Sequence, residues 1–419
     1  MRMLWVLPYL PWPATSGGKT RQWQLLRALA GRGHRITLLA QSKEMPSAAD
    51  RAALAPYLEE LIVLPRRPLR HPLTLALALA GPWPVLTALN GAAPALTRRF
   101  KELLAQPWDV IQIEHSYTFE PCESALRGHE FILTEHNLES GLGGATYDRF
   151  PGWAWPFVRF DQWRARRWER RVFAAAAQIV AVTEADAQAM RTITRTPVNV
   201  VVNGVDCAAF SAARPAPDSL RILFLGNYEY PPNVDAVTWT IEHIMPGIWA
   251  AQPQARLAVA GHAMPADWPA RWRDPRIEWL GFVADLPALQ RRSAVFLAPL
   301  RQGGGSKLKV LEAMAAGLPL ASTAQGVSGL AVVPGREYLG GDSAAELAQA
   351  VIALLQAPAR ALAIGEAART YVRTHHDWSI AADQLEEVYA RLPHAAPPGH
   401  DRAPAPLPQH QGAKHARGH

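Results

Sequence analysis

The strongest signal in the sequence is residues 302–320, Gln302-Gly-Gly-Gly-Ser-Lys-Leu-Lys-Val-Leu-Glu-Ala-Met-Ala-Ala-Gly-Leu-Pro-Leu, which follows the apolar run Val295-Phe-Leu-Ala-Pro-Leu. Three glycines leave a predicted strand and open a helix predicted from Leu308 to Ala316. Glycine lets backbone N–H groups approach an anion, and a helix N-terminus favours negative charge. The pattern predicts a pyrophosphate site beside Lys307, with Glu312 reaching sugar hydroxyls. Taken alone, it also fits a flexible glycine loop with an ordinary surface Lys and Glu.

The N-terminus shows the same strand–loop–helix pattern. An apolar strand at Met3–Leu7 precedes a loop over residues 8–19 that contains Gly17-Gly18, and a helix is predicted from about Thr20 to Arg32. A second apolar strand begins at Arg35. Continuous apolar strands that alternate with helices are typical of a parallel sheet covered on both faces.

The pattern occurs in two series, which predicts two doubly wound α/β domains. We expect a first domain over residues 1–203, a linker over 204–218 and a second domain over 219–376. A final amphipathic helix covers 377–392, and a Pro-, His- and Ala-rich tail over 393–419 is predicted to be disordered. The other predicted strands lie at 109–114, 131–134, 178–182 and 198–202 in the first series, and at 221–226, 255–261, 277–280, 294–297 and 318–322 in the second.

Several motifs in this order and spacing together resemble glycosyltransferase family 4, the retaining enzymes of the GT-B fold. The resemblance covers about residues 1–392 and implies an α/β, GT-B architecture of two Rossmann-like doubly wound domains facing across a cleft. It also implies that helix 377–392 crosses back to the first domain. The motifs are Pro13–Gly18, Gly33-His34, Glu135-His-Asn, Asn203-Gly-Val-Asp, Tyr230-Pro-Pro-Asn, Ile244-Met-Pro, Ala258-Val-Ala-Gly, Gly281-Phe-Val-Ala-Asp and residues 299–330.

By this resemblance, the second domain binds a nucleotide sugar as co-substrate, with no cofactor and no metal. Glu312 matches the glutamate that binds the nucleotide ribose, and the catalytic candidates are His115, His136, Lys307 and Glu312. The donor-binding candidates are Gly226, Gly261, Phe282, Val283, Gly303, Gly304, Gly305, Ser306, Lys307, Leu308 and Glu312.

The chain departs from the family pattern at two places. Gly304 stands where the family has a first glutamate near the donor sugar, which leaves the donor sugar open. The usual Arg and Lys after the first strand of the donor domain are not evident in the stretch that starts at Gly226. We hypothesise that Lys307 supplies the missing charge and neutralises the diphosphate leaving group.

On the acceptor side, polar residues follow two strand ends. Glu114-His115 ends one predicted strand and Glu135-His136-Asn137 ends another, so the carboxyl ends of the sheet gather them near Gly17 and Gly18. A structural role and a catalytic role for the two histidines remain equal alternatives. The acceptor-side candidates are Gly17, Gly18, Glu114 and Asn137.

Two segments bear on membrane contact. Residues 153–173 are rich in Arg and aromatic side chains, which suits a helix on an anionic membrane or, equally, a helix with its aromatics in the core. No nucleic-acid module accompanies this segment, so we predict no nucleic-acid partner. Residues 72–97 carry no charge but are interrupted by Gly and Pro, which favours a buried or interfacial hairpin over a spanning helix.

Composition agrees with a phosphate-binding globular protein. The net charge is +7, hydrophobic residues make up 49% and charged residues 19%, which excludes a wholly disordered chain. The two cysteines form no CxxC pair and the N-terminus has no signal-peptide pattern. We therefore predict a cytoplasmic protein, with peripheral contact with the inner membrane face left open.

The sequence predicts a transferase that moves a sugar from a nucleotide sugar to a saccharide or lipid-linked acceptor, in surface polysaccharide or glycolipid biosynthesis. Two alternatives remain. One is a GT-B-fold nucleotide-sugar epimerase, whereas a phosphorylase is disfavoured because no pyridoxal-binding lysine motif is evident. The other is a noncatalytic nucleotide-sugar-binding subunit of a membrane assembly, which Gly304 leaves open.

Overall fold

The computed structural model describes residues 1–68, 71–138, 140, 152–303 and 307–392. Gly304, Gly305 and Ser306 of the predicted anion site lie outside the described residues. The predicted disordered tail, 393–419, also lies outside them.

In the described part, the first half of the chain is built on a seven-stranded sheet whose paired strands are all parallel. The order across the sheet is β3-β2-β1-β4-β5-β6-β7. Successive strands are therefore added on one side of β1 up to β3 and on its other side from β4 onward, which makes the point between β1 and β4 the topological switch point. A ligand crevice is expected at the carboxyl ends of these strands. The strands are β1 Arg2–Leu7, β2 Arg35–Ser42, β3 Glu60–Pro65, β4 Val110–Glu114, β5 Ile132–Glu135, β6 Gln178–Ala181 and β7 Val198–Val200.

Helices cover both faces of this sheet. Met3, Trp5 and Leu7 of β1 belong to one apolar core, and Leu4 and Val6 belong to another. Alternate side chains of a strand point to opposite faces, so a strand buried on both sides is apolar throughout. The helices are α1 Gly17–Gly31, α2 Ala48–Leu54, α3 Pro72–Ala80, α4 Val85–Asn90, α5 Pro94–Leu104, α6 Glu120–Glu123, α7 Trp155–Ala175 and α8 Glu184–Arg191.

The second half contains a parallel sheet of six strands within the described ranges, in the order β10-β9-β8-β11-β12-β13. The strands are β8 Arg221–Asn227, β9 Arg256–His262, β10 Ile277–Gly281, β11 Val295–Ala298, β12 Leu320–Ser322 and β13 Leu339–Gly340. The helices from residue 204 onward are α9 Cys207–Phe210, α10 Pro231–Trp239, α11 Met245–Ala251, α12 Trp268–Arg271, α13 Leu286–Arg291, α14 Leu308–Ala315, α15 Ala344–Gln356, α16 Pro358–His375 and α17 Trp378–Tyr389.

Two segments connect the halves. The segment after Asn203 holds α9, and Val205 pairs with Asp377 just before α17. Helix α17 then returns to the first sheet, where Leu385 and Tyr389 join the same core as Trp5. The Tyr389 hydroxyl donates to Gln112 Oε1 of β4 at 2.5 Å, so the last helix is tied to the strand that ends at Glu114.

Some elements differ from the expectation. Strand β3 was not predicted, because its short apolar run, Leu61–Leu64, could belong to either a strand or a helix. Helix α1 begins at Gly17 and not at Thr20, which places the Gly17-Gly18 pair in its first turn. The uncharged segment 72–97 forms α3, α4 and the start of α5.

Among the described helices, none alone is long and apolar enough to cross a membrane. Ala344–Gln356 and Pro358–His375 reach the required length and composition only together, and they are bent by 107°.

Candidate active site

A cavity of about 470 Å³ lies between the carboxyl ends of the two sheets. The loop before α1 and its first turn form one wall. The ends of β8 and β9 and the start of α14 form the other. Glycine and polar residues from both walls line it, among them Ser16, Gly17, Thr20, Gly226, Asn227, Asn233, Gly261, Gly303, Lys307, Lys309 and Glu312.

The second-sheet wall depends on glycines that allow close backbone approach. Gly261 has a φ of +140°, and a Cβ there would lie 1.7 Å from the Gly226 carbonyl oxygen. Gly303 has a φ of +111°, and a Cβ there would lie 2.8 Å from the Tyr230 hydroxyl. A side chain at Gly261 would push the ends of β8 and β9 apart, and one at Gly303 would displace the Tyr230 side chain.

Two lysines face this cavity from the start of α14. Lys307 is 7% exposed, and its Nζ donates to the Gly303 carbonyl oxygen at 3.3 Å. Lys309 Nζ donates to Asn233 Oδ1 at 2.6 Å and lies 4.6 Å from the centre of the Phe224 ring. Burial lowers the pKa of Lys307 to about 8. Burial, together with the charge of Lys307, lowers the pKa of Lys309 to about 7. An anionic ligand would restore both charges.

Glu312 lies on the same helix, one turn beyond Leu308, and lines the cavity. Burial raises the pKa of its carboxyl to about 7. A carboxyl in this state exchanges hydrogen bonds with hydroxyl groups readily, because it can act as donor or acceptor near neutral pH.

The first-sheet wall is supported by a buried carboxylate, Glu114. Its Oε1 accepts from Trp5 Nε1 at 3.0 Å and from Gln112 Nε2 at 2.8 Å, and its Oε2 lies 3.2 Å from His136 Nε2. Burial opposes its charge, but the His136 hydrogen bond and the nearby charges of His136, His115 and Arg21 outweigh burial and lower the pKa to about 2. Because Glu114 is ionised, His136 Nε2 must carry the proton.

His136 therefore presents Nδ1 as an acceptor. A Cβ built on Gly18 would lie 3.5 Å from this atom and 2.7 Å from the Tyr9 hydroxyl, so Gly18 keeps space in front of the imidazole. Burial lowers the pKa of His136 to about 4, and the ring is neutral at physiological pH. Its environment suits hydrogen bonding to a hydroxyl better than charge pairing.

His115 packs against His136, with ring centres 4.4 Å apart. It has a φ of +67°, an uncommon conformation for a non-glycine residue, and it stacks on Tyr117 at 4.7 Å. Burial lowers its pKa to about 4. Burial raises the pKa of the neighbouring Glu135 to about 8, so this carboxyl is protonated at neutral pH while Glu114 is not.

Glu114, His115 and His136 can place three potential ligand atoms within 4.8 Å of one another. The oxygens of Glu114 are already engaged by Trp5, Gln112 and His136. These side chains form a hydrogen-bonded cluster that orients His136.

The structure places the predicted residues at different depths. Gly17, Gly226, Gly261, Phe282, Val283, Gly303, Lys307, Leu308 and Glu312 line the cavity. Phe282 is 74% exposed and stands at the rim, whereas Glu114 is 1% exposed. Glu114 is therefore buried behind His136, to which it is hydrogen-bonded. His115, His136 and Asn137 are not among the residues that line the cavity. Gly18 lies beside His136 and directly follows Gly17, which lines the cavity.

Sequence reasoning missed Lys309, Asn233 and Thr20. Lys309 had a detectable signal, because the Lys-x-Lys spacing puts a second cation within one turn of the predicted pyrophosphate site. Asn233 ends the Tyr230-Pro-Pro-Asn motif, but nothing in the sequence indicates its hydrogen bond to Lys309, which joins α10 to α14.

Two parallel α/β sheets that face a shared cavity, lined by Gly303 and two lysines, have the architecture of the GT-B glycosyltransferases. Comparison with known proteins agrees. Residues 15–209 match the family described as Glycosyltransferase Family 4, and residues 219–357 match the one described as Glycosyl transferases group 1. The chain belongs to glycosyltransferase family 4, the group 1 glycosyltransferases, and is a nucleotide-sugar-dependent glycosyltransferase.

Among curated relatives, a glycogen synthase of Mycobacterium tuberculosis is 26% identical over 412 residues, covering 93% of this chain and 94% of the relative. A GDP-mannose-dependent monoacylated alpha-(1-6)-phosphatidylinositol monomannoside mannosyltransferase of Corynebacterium glutamicum is 25% identical over 211 residues, covering 46% of this chain and 55% of the relative.

Solved structures show the same fold. A sucrose-phosphate synthase from Thermosynechococcus elongatus superimposes with a TM-score of 0.66 at 18% identity, covering 94% of this chain and 100% of the other. Anabaena HepE in complex with UDP superimposes with a TM-score of 0.63 at 16% identity, with the same coverage.

Proposed function

We propose that this protein transfers a sugar from a nucleoside diphosphate sugar to a saccharide or lipid-linked saccharide, with retention of anomeric configuration. The observation that carries the proposal is the cavity between the sheets, where Lys307 and Lys309 lie beside a glycine turn and Glu312 lies one turn further. This arrangement matches a ligand with two phosphates followed by a hydroxyl-bearing ring.

Donor binding uses the second-sheet wall. The N–H groups at the start of α14 and the two lysines hold the diphosphate, and Glu312 holds the ribose hydroxyls. Gly226 and Gly261 leave room for the nucleoside against the strand ends. Gly304 offers no carboxylate to the donor sugar, so selection of that sugar falls to other groups of the cleft.

In the transfer step, the bond between the anomeric carbon and the diphosphate oxygen breaks while the acceptor hydroxyl forms the new bond on the same face. The acceptor proton passes to the leaving phosphate oxygen, so no strong protein base is required. Lys307 and Lys309 stabilise the charge that grows on the diphosphate. Loss of one such group typically costs roughly 3–4 kcal/mol of transition-state stabilisation.

His136 is the first-sheet residue best placed to contact the donor sugar. Its Nδ1 points toward Gly18, whose neighbour Gly17 lines the cavity. Glu114 fixes the proton on Nε2, so Nδ1 accepts a hydrogen bond from a sugar hydroxyl. His115 packs behind it and is assigned a positioning role.

The acceptor class is proposed from the relatives. One is a glycogen synthase and the other is a mannosyltransferase named for a phosphatidylinositol mannoside acceptor. We propose a role in surface polysaccharide or glycolipid biosynthesis, on the cytoplasmic side of the cell membrane, with peripheral contact with its inner face. No cofactor beyond the nucleotide sugar is included in the proposal.

The test is a thermal-shift screen of the purified protein against a panel of nucleotide sugars, followed by product analysis by NMR with the donor that stabilises most. We expect a glycoside that keeps the donor's anomeric configuration, and turnover that persists in EDTA. Lys307→Ala should reduce turnover strongly, and full turnover in this variant would contradict the role of Lys307.

The rival functions give different products. An epimerase would convert the donor to an isomer without an acceptor. A noncatalytic subunit would be stabilised by the donor but would neither transfer its sugar nor hydrolyse it. Either result would overturn the transferase proposal while leaving the nucleotide-sugar site intact.

A further inference from the structure

Exposed apolar side chains are concentrated on one surface of the first half of the chain. Seven of the twelve exposed large hydrophobic residues in the described part lie on α3 or on α7 and the turn before it. We name these helices' exposed faces the α3–α7 surface. Its apolar members are Leu73, Leu75, Leu79, Trp153, Trp155, Phe160 and Trp163.

The exposed residues of α7 share one face of the helix. At about 100° per residue, Trp155, Phe160 and Trp163 fall within an arc of roughly 140°, and exposed arginines lie between them. The opposite face, which includes Val158 and Val172, is buried against the core. The aromatic side chains that the sequence left undecided between core and surface are therefore divided, and only Trp168 and Phe173 enter the core.

The charges on this face all have one sign. Its exposed arginines are Arg159, Arg166, Arg167 and Arg170. The acidic residues of α7 are buried and engaged, since Asp161 accepts from Arg164 at 2.6 Å and Glu169 accepts from the Ser140 N–H at 3.0 Å. The face therefore presents aromatic rings and positive charge without an exposed carboxylate from the same helix.

Helix α3 is held against α7. Arg164 donates to the carbonyl oxygens of Ala78 at 2.7 Å and Gly81 at 2.9 Å, and its guanidinium lies 4.8 Å from the centre of the Phe160 ring. The same arginine thus joins the end of α3, next to Leu79, to the aromatic face.

We infer that the α3–α7 surface binds an anionic lipid bilayer. Tryptophan and phenylalanine insert at the headgroup level, arginines pair with lipid phosphates through long side chains, and leucines enter the acyl boundary. Each basic residue near an anionic surface contributes about 1 kcal/mol. A folded protein partner of this surface would have to supply acidic groups around an apolar centre, whereas an anionic bilayer presents both everywhere.

The surface is linked to the first-sheet side of the site. Trp168 of α7 donates from Nε1 to the Ser116 carbonyl oxygen at 2.9 Å, and Ser116 follows His115 directly. Binding of the α3–α7 surface to a membrane would hold the acceptor side of the cleft near lipid-borne saccharides. The inference rests on the proposed function in that it names the surface for the membrane contact proposed there, whereas lipid binding itself does not depend on sugar transfer.

The test is co-sedimentation of the full chain with vesicles of phosphatidylcholine alone or with added phosphatidylglycerol, without any nucleotide. We expect binding to the anionic vesicles only, weakened by salt. A Trp155→Ser, Phe160→Ser, Trp163→Ser variant should bind at least tenfold more weakly, as should an Arg159→Gln, Arg166→Gln, Arg167→Gln, Arg170→Gln variant. A matched control changes Arg360→Gln and Leu362→Ser, which are exposed on α16, and should bind as wild type.

For the same variants, the melting temperature without nucleotide reports folding, and its increase with UDP or GDP reports the nucleotide site. Equal vesicle binding by wild type and both surface variants would overturn the inference. So would an absence of wild-type binding to anionic vesicles, or a surface that instead governs self-association in analytical ultracentrifugation. Because no donor is present, these outcomes do not depend on whether the protein transfers sugar.

Discussion

Lys309 is the residue whose surroundings most directly suggest a bound anion. Its ammonium is desolvated, its hydrogen bond goes to the neutral Asn233, and the pKa of about 7 shows how poorly the ligand-free site supports its charge. Lys307, two residues earlier, adds a second cation of lowered pKa. The charge of Lys307 further lowers the pKa of Lys309, and an anionic ligand beside both would offset this repulsion.

Lys309→Met should separate ligand binding from stability. Removal of a charge-assisted hydrogen bond costs about 1.5–3 kcal/mol, so UDP or GDP should bind roughly tenfold to a hundredfold more weakly. The ligand-free variant should melt no lower than wild type, because methionine fills the space without a desolvated charge. Calorimetry and thermal melts check both. Lys101→Met, on the exposed face of α5, is the control, and unchanged nucleotide affinity in Lys309→Met would contradict the assignment.

Nucleoside diphosphate affinity should fall as pH rises from about 7.5 to 9. In the free protein, Lys309 is already largely deprotonated at the lower end of this range and Lys307 loses its proton within it, because burial lowers their pKa to about 7 and about 8. An anion raises both pKa values, so binding takes up protons and is weakened when fewer are available. Calorimetry in two buffers of different ionisation enthalpy measures the uptake. Release of protons on binding would refute this account.

At the scale of elements, the ends of β8 and β9 set the depth of the cavity. Gly226 and Gly261 are paired in register on these strands, and the glycine at 261 lets the two backbones meet. Helix α14 then starts opposite them and directs Lys307 and Lys309 into the same space.

Gly261→Ala should damage donor binding more than any other single methyl addition on this wall. The new Cβ would lie 1.7 Å from the Gly226 oxygen, at a φ of +140°, so the strand ends must separate. We expect loss of UDP-induced thermal stabilisation and a lower melting temperature. Gly31→Ala is the control, since a Cβ there meets nothing within 4 Å and should gain about 0.4–1 kcal/mol. Wild-type affinity in Gly261→Ala would show that the strand ends do not shape the donor site.

At the scale of the whole molecule, the last helix reaches back to the hydrogen-bonded cluster around Glu114 and His136. Tyr389 of α17 donates to Gln112, Gln112 donates to Glu114, and Glu114 orients His136. The C-terminal end of the chain thus supports a residue more than 250 positions earlier, on the wall opposite the donor site.

Tyr389→Phe should lower the free energy of unfolding by about 1–3 kcal/mol, because it leaves the Gln112 oxygen buried without its donor. The transfer rate should fall while UDP or GDP affinity changes little, since the second-sheet wall holds the nucleoside diphosphate and His136 contacts only the donor sugar. Chemical denaturation, calorimetry with UDP and GDP, and steady-state kinetics measure these effects. Tyr57→Phe, outside this network, is the control, and a selective loss of UDP or GDP affinity in Tyr389→Phe would contradict the chain of contacts.

Much of the fold and of the donor wall could be predicted from the sequence by itself. The apolar strands, the glycine turn before Leu308, and the positions of Lys307 and Glu312 depend on local chain geometry, which short motifs record. The division of the chain into two α/β series followed from the same periodicity.

Only the tertiary structure decided which of these residues meet. Asn233 joins Lys309, Tyr389 reaches Gln112, and Gly18 faces His136, although each pair is far apart in the chain. It also placed Glu114 behind His136 and divided the aromatic residues of α7 between core and surface. These outcomes depend on how the sheets and helices pack and which groups lose water, and that is a property of contacts between distant segments rather than of any local pattern.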